Sequence, residues 1–508
     1  MQTGIVTISF DATVAGMRLA VQGATIVNRV NDIPTIELQC APSNAGSAKP
    51  LKPNVVSPSI DDFASLYAKL AEKADGLAET GTVKIELKGN KQGGKNKNES
   101  LTLTGWILTG VGMSNVSATS APYLTVVLQH PICKLTKVGS VYETAKAKSD
   151  STIDSMTENK KDFIKILEAV YEAVKNQVQY WPVQGENGSE LPSAYRNMLG
   201  SSGYSPSEYL EFKNDGGEGR FLAGYVTDSG AKKLIAMATG RLVLPNAGNS
   251  STWDVIVRAA GDLMLSVTQD KENNYYNKKL VLEPTKPWKA CSVELNASDC
   301  FQTSIPGMDP FKISGVMVNK ISLYEQGLSL GGWTVGKVPD KAKNMAQYFY
   351  APVKPDIADG RIVVVAPPAI MVEVANLNST YGSIKLSNGS SDLRTEFGDN
   401  FNRIMTGYAK AVYETSVASM RNGVAYMALR FGDNNGNPIL PGNTCKFVIG
   451  SGKVLYYGYI TSVVHNLSTN GGNSTVVSMS YVRSSPGYKV RGKTVIKAGS
   501  PSPAYAQT

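Results

Sequence analysis

A chain of 508 residues with 42% hydrophobic content can bury several cores, so small size does not limit it and about three to four domains is the expectation. Its formal charge of +9, from 51 Lys and Arg against 42 Asp and Glu, is spread over the whole length, which argues against the dense basic face of a nucleic-acid-binding protein. Five scattered cysteines (Cys40, Cys133, Cys291, Cys300, Cys445) without CxxC spacing and only two histidines, His130 and His465, argue against a structural zinc site, and no apolar run approaches the ~18 residues of a membrane-crossing helix.

The opening MQTGIVTISFDATVAGMRLAVQ lacks the basic-then-apolar order of a signal peptide, so export by the general secretory route is not expected. From Gly4 to Cys40 the pattern reads strand, turn, strand, with Asn31-Asp32-Ile33-Pro34 interrupting the second run before Thr35, Glu37 and Gln39 alternate against Ile36, Leu38 and Cys40. Pro34 suggests an edge or a bulge there. A Pro/Ser/Ala/Gly-rich connection leads to a helix in which Ile60, Phe63, Leu66, Tyr67 and Leu70 fall on one face, with Ser59 and Asp62 as its capping pair. Strands at Thr82 to Leu87, Ser100 to Gly110 and Tyr123 to Gln129 complete a first β-module, residues 1–140. The lysines from Lys84 to Lys97 have no interleaved aromatics and fit a solvated hairpin tip better than a phosphate-binding loop; an acidic protein neighbour stays open.

After Lys134 the composition changes. Phe163, Ile166, Leu167, Val170, Val174 and Val178 form an apolar helical stripe, further helices fall at Ala231 to Ala238 and Thr252 to Met264, and strands follow at Met264 to Gln269, Tyr275 to Glu283 and Gly315 to Leu323. Residues 141–310 and 311–420 thus read as two mixed α+β regions, the second ending in a helix over Phe401 to Met420, with 340–388 unparsed. The strand VAYMALRF and NPILPGNTCKFVIGSG lead into a hairpin from Leu455 to Arg483, which places a second β-module at 421–490 ahead of a basic, flexible tail at 491–508. In the hairpin, period-two alternation puts Tyr457, Tyr459, Thr461, Val463, His465 and Leu467 on one face, the turn is Asn470-Gly471-Gly472-Asn473, and Thr475, Val477, Met479 and Tyr481 alternate on the return. Leu103 to His130 follows the same plan, with Gly105-Trp106-Ile107 parallel to Gly458-Tyr459-Ile460. The fold class is therefore α+β, β-rich: two tube-like β-barrels flanking a mixed middle.

No GxSxG, P-loop or HExxH motif is present, and Gly216-Gly217-Glu218-Gly219 lacks the strand-turn-helix context of a dinucleotide site. Each histidine sits at the end of an expected strand and reads as a barrel-rim residue rather than a general base. The chain carries no recognisable catalytic, cofactor or metal site, although a pair of distant carboxylates for glycoside hydrolysis is never visible in sequence alone.

From Asn437 to Arg483, the Pro-Gly turn, the strand carrying Gly-Tyr-Ile and then His, the glycine turn and the strand ending in Val-Arg resemble the C-terminal barrel of baseplate hub proteins from contractile phage tails. These include the late control gene D proteins and the hub part of the VgrG proteins of type VI secretion. VNRVNDIPTIELQC resembles their first barrel, and STWDVIVRAAGDLMLSV the helix-strand unit between the barrels. The resemblance implies a homotrimer whose two barrels per chain form a pseudo-sixfold ring, adapting a hexameric tail tube to a trimeric spike. It further implies contacts with the tube, the spike, other baseplate proteins and, as a further candidate, the tape measure protein, within a virion tail assembled in the host cytoplasm. On this footing Gly105, Trp106, Gly458, Tyr459, His465 and Arg483 are structural markers of the barrel hairpins, with Gly105 and Gly458 at bulges, bends or close backbone approaches. Nothing after Arg483 reads as the needle of a VgrG protein, so the spike is expected to be a separate chain. A tail-borne peptidoglycan hydrolase and a virion-surface adhesin are the alternatives.

Overall fold

The computed structural model describes residues 7–41, 60–74, 77–92, 95–114, 123–136, 265–269, 279–285, 287–304, 421–490 and 493–496, with short pieces at 210–212, 315–318, 348–350 and 363–366 and single residues near 251 and 498. The expected helices over 163–178, 231–238 and 401–420 lie outside them, as does Ser59 of the expected capping pair. Of the helix expected over 252–264, only Trp253, Asp254 and Val257 are described, and all three are helical.

Six strands build the first barrel: β1 (Thr7–Val14), β2 (Met17–Arg29), β3 (Thr35–Ala41), β4 (Thr80–Gln92), β5 (Lys95–Met113) and β6 (Leu124–Gln129). They hydrogen-bond in the order β1-β4-β5-β6-β3-β2, and β2 pairs back onto β1 at Ala12↔Leu19, which closes the ring. Alternation drives this: β3 buries Ile36, Leu38 and Cys40 and exposes Glu37 and Gln39, while β6 buries Leu124, Val126 and Leu128. Helix α1 (Ile60–Ala74) packs on β5 and sends Leu66 and Leu70 into the same core. Pro34 marks neither an edge nor a bulge. It sits in the β2–β3 turn, where no ladder N–H is needed, and β3 is an interior strand between β2 and β6.

The middle of the chain contributes β7 (Leu210–Phe212), β8 (Leu265–Gln269) and β9 (Leu280–Pro284), ordered β7-β9-β8. It then supplies β10 (Val293–Asn296) and β11 (Cys300–Ser304), joined by a 3-10 corner over Ala297–Asp299, and a sheet of β12 (Gly315–Val318), β13 (Tyr348–Tyr350) and β14 (Val363–Ala366). The C-terminal part holds β15 (Gly423–Ala428), β16 (Thr444–Val448), β17 (Val454–Ser468) and β18 (Ser474–Arg483). A final two-stranded sheet joins β19 (Tyr488–Val490) to β20 (Lys493–Ile496). Part of the expected flexible tail is therefore a strand, because Lys493-Thr494-Val495-Ile496 is β-branched enough to pair back across Arg491-Gly492.

The second barrel does not lie wholly within 421–490. Its sheet runs β10-β16-β17-β18-β15-β11, so two of its strands come from 293–304, a stretch expected in the mixed middle. Four strands from 421–490 cannot close a cylinder, and the bent pair β10–β11 spans the gap between β16 and β15.

The two barrels share one topology. The antiparallel run β4-β5-β6-β3-β2 corresponds strand for strand to β16-β17-β18-β15-β11. Bulges coincide as well: the register skips Gln22 between Val21 and Gly23 on β2, and Phe301 between Cys300 and Gln302 on β11. It skips Thr109 on β5 and Thr461 on β17, and each threonine donates its hydroxyl across the ladder, to Val127 O at 3.4 Å and Ser478 O at 3.2 Å. Beside these bulges Leu108 N donates to Glu79 O and Ile460 N to Asn443 O. Such agreement aligns Leu108-Thr109 with Ile460-Thr461, one residue away from the match of Gly105-Trp106-Ile107 to Gly458-Tyr459-Ile460 suggested by sequence. The slip arises because Gly105 is itself the extra residue of a bulge against β4.

Candidate functional site: the seam between the barrels

Two strands are longer than one barrel needs, and their surplus lengths meet. β2 closes its own barrel through residues 17–19 and then pairs residues 23–29 with residues 462–468 of β17, in antiparallel register from Gly23↔Ser468 to Arg29↔Ser462. β17 does the converse, pairing Val454 to Tyr459 with β16 before turning to β2. The pairing fuses both barrels into one twelve-stranded sheet. Gly23 suits the close approach here, since a Cβ would stand 3.0 Å from Leu467 O and press the two backbones apart. Past the ends of the ladder, Thr469 N and its hydroxyl both donate to Gln22 O, and Val30 N donates to Thr461 O.

The barrels also share a core. Leu429, Phe431 and Leu467 pack into the apolar cluster of the first barrel, and burying each such side chain is worth about 1.5–3 kcal/mol. Phe431 rides on a loop held from both sides. Glu99 of β5 accepts from Phe431 N at 3.3 Å and Gly432 N at 3.1 Å, and Lys97 Nζ donates to Asn434 O at 2.6 Å. The buried Asp433 carboxylate accepts from Asn435 N, Asn437 N, Asn437 Nδ2 and Glu294 N, which folds the loop around a single side chain. Arg430, also buried, donates to Asp299 Oδ2 at 2.8 Å, tying the loop to the β10–β11 corner.

His465 lies within β17, wholly buried in the seam opposite Ile26, and not at a barrel rim. Its tautomer follows from its neighbour. Thr475 Oγ1 spends its one proton on Arg430 O, so it accepts from His465 Nδ1, which leaves Nε2 bare, buried and edge-on to Phe431 with ring centroids 5.1 Å apart. Desolvation pushes the imidazole pKa down to about 3, so it is neutral at pH 7 and poorly placed to act as a base. His130 is likewise buried, accepting from Ile132 N at Nδ1 and meeting Trp106 edge-to-face at 6.1 Å.

The other sequence-marked residues hold the barrels in shape. Gly105 adopts φ +72° at its bulge, whereas Gly458 is a close approach, where a Cβ would meet Met479 at 3.3 Å. Tyr459 packs edge-to-face on Tyr481, not on the face of Val463 and His465. The bulge at Thr461 breaks the period of two along β17, so Tyr456 and Ile460, not Tyr457 and Tyr459, share the core with Val463. Arg483 is buried and donates to three carbonyls, Tyr481 O, Pro486 O and Pro287 O, with its guanidinium 4.5 Å from the Trp288 ring centroid; desolvation lowers its pKa to about 10. Thus His465 and Gly23 lie in the seam, Trp106 and Gly105 in the first barrel, and Arg483 at the end of the second.

Glu99, Arg430, Phe431, Asp433 and Asp299 were not singled out by sequence. One signal was available: Asp433-Asn434-Asn435-Gly436-Asn437 is a dense turn string with an Asx residue at its head.

No protein-family model and no curated protein sequence matches the chain. Among solved structures it is similar to a tail protein from Neisseria meningitidis (TM-score 0.43, 9% identity, 93% of this chain and 96% of that one) and a 43 kDa tail protein of prophage MuSo2 from Shewanella oneidensis (0.42, 10%, 93% and 98%). It is also similar to an E. coli component of the type VI secretion system, described as resembling the T4 tail proteins gp27 and gp5 (0.34, 7%, 96% and 79%).

Proposed function

We propose that the chain is a structural component of a contractile phage tail, a baseplate hub that assembles as a trimer and adapts a hexameric tail tube to a trimeric spike. One observation carries this reading: two barrels of the same topology sit in one chain and are joined through unlike edges, β2 of the first to β17 of the second, where β17 corresponds to β5. Joining unlike edges of equivalent units is a head-to-tail contact, the kind that generates rings when the rotation closes. Three chains then supply six near-equivalent units, which is what a sixfold tube can stack on. A continuous hydrogen-bonded sheet resists shear across the seam, as a load-bearing collar must. Arg430, His465 and Arg483 hold loops and strands in place and carry no chemistry. The test is the native mass of the purified chain in analytical ultracentrifugation and its retention on isolated tail tubes. Three chains per particle and saturable retention are expected; a single-chain mass up to about 10⁻⁵ M, well above the dissociation constant of a stable assembly, would exclude the hub role.

A further inference from the structure

Where the seam ladder runs out past Arg29↔Ser462, two consecutive residues of β17 bind a turn from each barrel. Thr461 O accepts from Val30 N of the first barrel, and Ile460 O accepts from Gly442 N of the second, both at 2.9 Å. A third element lies on both turns. Strand β8 is at the edge of its own sheet, and there Val267 directs its N–H and C=O to Asn31 instead of to β9. Asn31 N donates to Val267 O at 2.9 Å and Val267 N donates to Asn31 Oδ1 at 2.7 Å, so one asparagine imitates both halves of a ladder pair. The next residue, Thr268, rests on the turn of the second barrel: a Cβ at Gly442 would come within 2.6 Å of its Cγ2. Val267 and Thr268 are buried.

We infer that β8 is a clamp: Asn31 and Gly442 seat it across the end of the seam, and the middle sheet thereby fixes the angle between the two barrels. Both seats suit the task. Asn31 has φ +59° and Gly442 φ +87°, the left-handed backbone that asparagine tolerates and glycine adopts freely. Only Asn and Asp readily join that backbone to a side-chain acceptor within reach of a neighbouring N–H, which makes Asn31 the positioning residue of the joint. Angle matters to a head-to-tail contact, because such contacts close into a ring at one rotation per unit and otherwise run on as an open spiral. The clamp belongs to the single chain, so it stands or falls separately from the ring.

The test is the spread of distances between spin labels at Glu37→Cys in the first barrel and Leu455→Cys in the second, both exposed, in the full-length chain with Cys291→Ser, diluted into unlabelled protein. One narrow distribution is expected. Asn31→Gly keeps the backbone but loses the acceptor and should broaden it, Asn31→Asp should restore it, and Gly442→Ala should broaden it by pressing a Cβ onto Thr268. Unchanged widths in Asn31→Gly and Gly442→Ala would overturn the clamp, as would broadening that Asn31→Asp does not reverse. Should the variants fold poorly, amide exchange on the unaltered protein decides. The clamp predicts that Val267, Val30 and Gly442 open together at one rate. Exchange at Val267 about tenfold faster than at Val30 and Gly442 would show that the seam end holds without β8, and would overturn the inference.

Discussion

The two barrels share a plan but differ in what they bury. The first has an almost wholly apolar interior, with Asn28 and His130 its buried polar side chains among the described residues; the second buries Arg430, Asp433, Asn443, Thr444, His465, Thr475, Ser480 and Arg483. Closure differs as well. β1 turns tightly into β2 through Ala15 and Gly16, both at positive φ, and runs antiparallel to β4, whereas β10 runs parallel to β16 and continues through its 3-10 corner into β11. A hairpin closes a barrel on hydrogen bonds alone. A strand bent through a corner leaves that corner to be held by side chains, and Arg430 on Asp299 and Asp433 on Glu294 N do this in the second barrel. The same architecture is thus kept by apolar packing in one half and by apolar packing with a buried polar network in the other, and the two halves should fail differently.

The largest effect is expected where the barrels are not independent. Phe431→Ala should cost about 3–5 kcal/mol in denaturant unfolding and lower both barrels in one transition, because Phe431 belongs to the first barrel's core although it is carried by the second. Two separate transitions, with the first barrel unmoved, would break the shared-core account. Next, Arg483→Met should cost about 3 kcal/mol, since it strands three carbonyls, and Arg483→Lys should recover only part of it because an ammonium cannot reach all three.

A pH dependence should follow His465, buried in the seam. His465 has a folded pKa near 3 against an ordinary 6.5, so the unfolded chain binds the extra proton between those values. Its contribution is therefore complete above pH 6.5 and is lost as pH falls toward 3, amounting to about 2 kcal/mol between pH 7 and pH 5. Comparing unfolding free energies of the native chain and His465→Gln at both pH values checks this: the variant should lose that difference, and an equal slope in both would place the proton elsewhere. The smallest effect sharpens the equivalence itself. Thr109→Val and Thr461→Val each remove one bulge hydrogen bond and should cost about 0.5–1.5 kcal/mol, matching within a few tenths.

The elements legible in sequence were those governed by alternation: β3, β6, β17 and β18 bury the side chains that a period of two assigns, apart from stretches next to bulges. Bulges were illegible because the inserted residue looks ordinary; Thr109 and Thr461 betray themselves only when the strands are paired, and Gly105 then shifted the internal match by one residue. β10 and β11 were assigned to the wrong region because four- and five-residue strands separated from β15 by more than a hundred residues carry no local sign of their sheet. The seam was invisible for a related reason. Its two strands lie at opposite ends of the chain, and what gives it away, the surplus length of β2 and β17, has meaning only once each barrel's own closure is known.

The most direct test of the central claim, that one chain carries two equivalent barrels which close with two other copies into a collar, is electron microscopy of the native particle viewed down its axis. Averages with six lobes of two alternating kinds about a threefold axis are the result this account predicts. Particles with only two lobes, or with lobes arranged in line and no central axis, would contradict it.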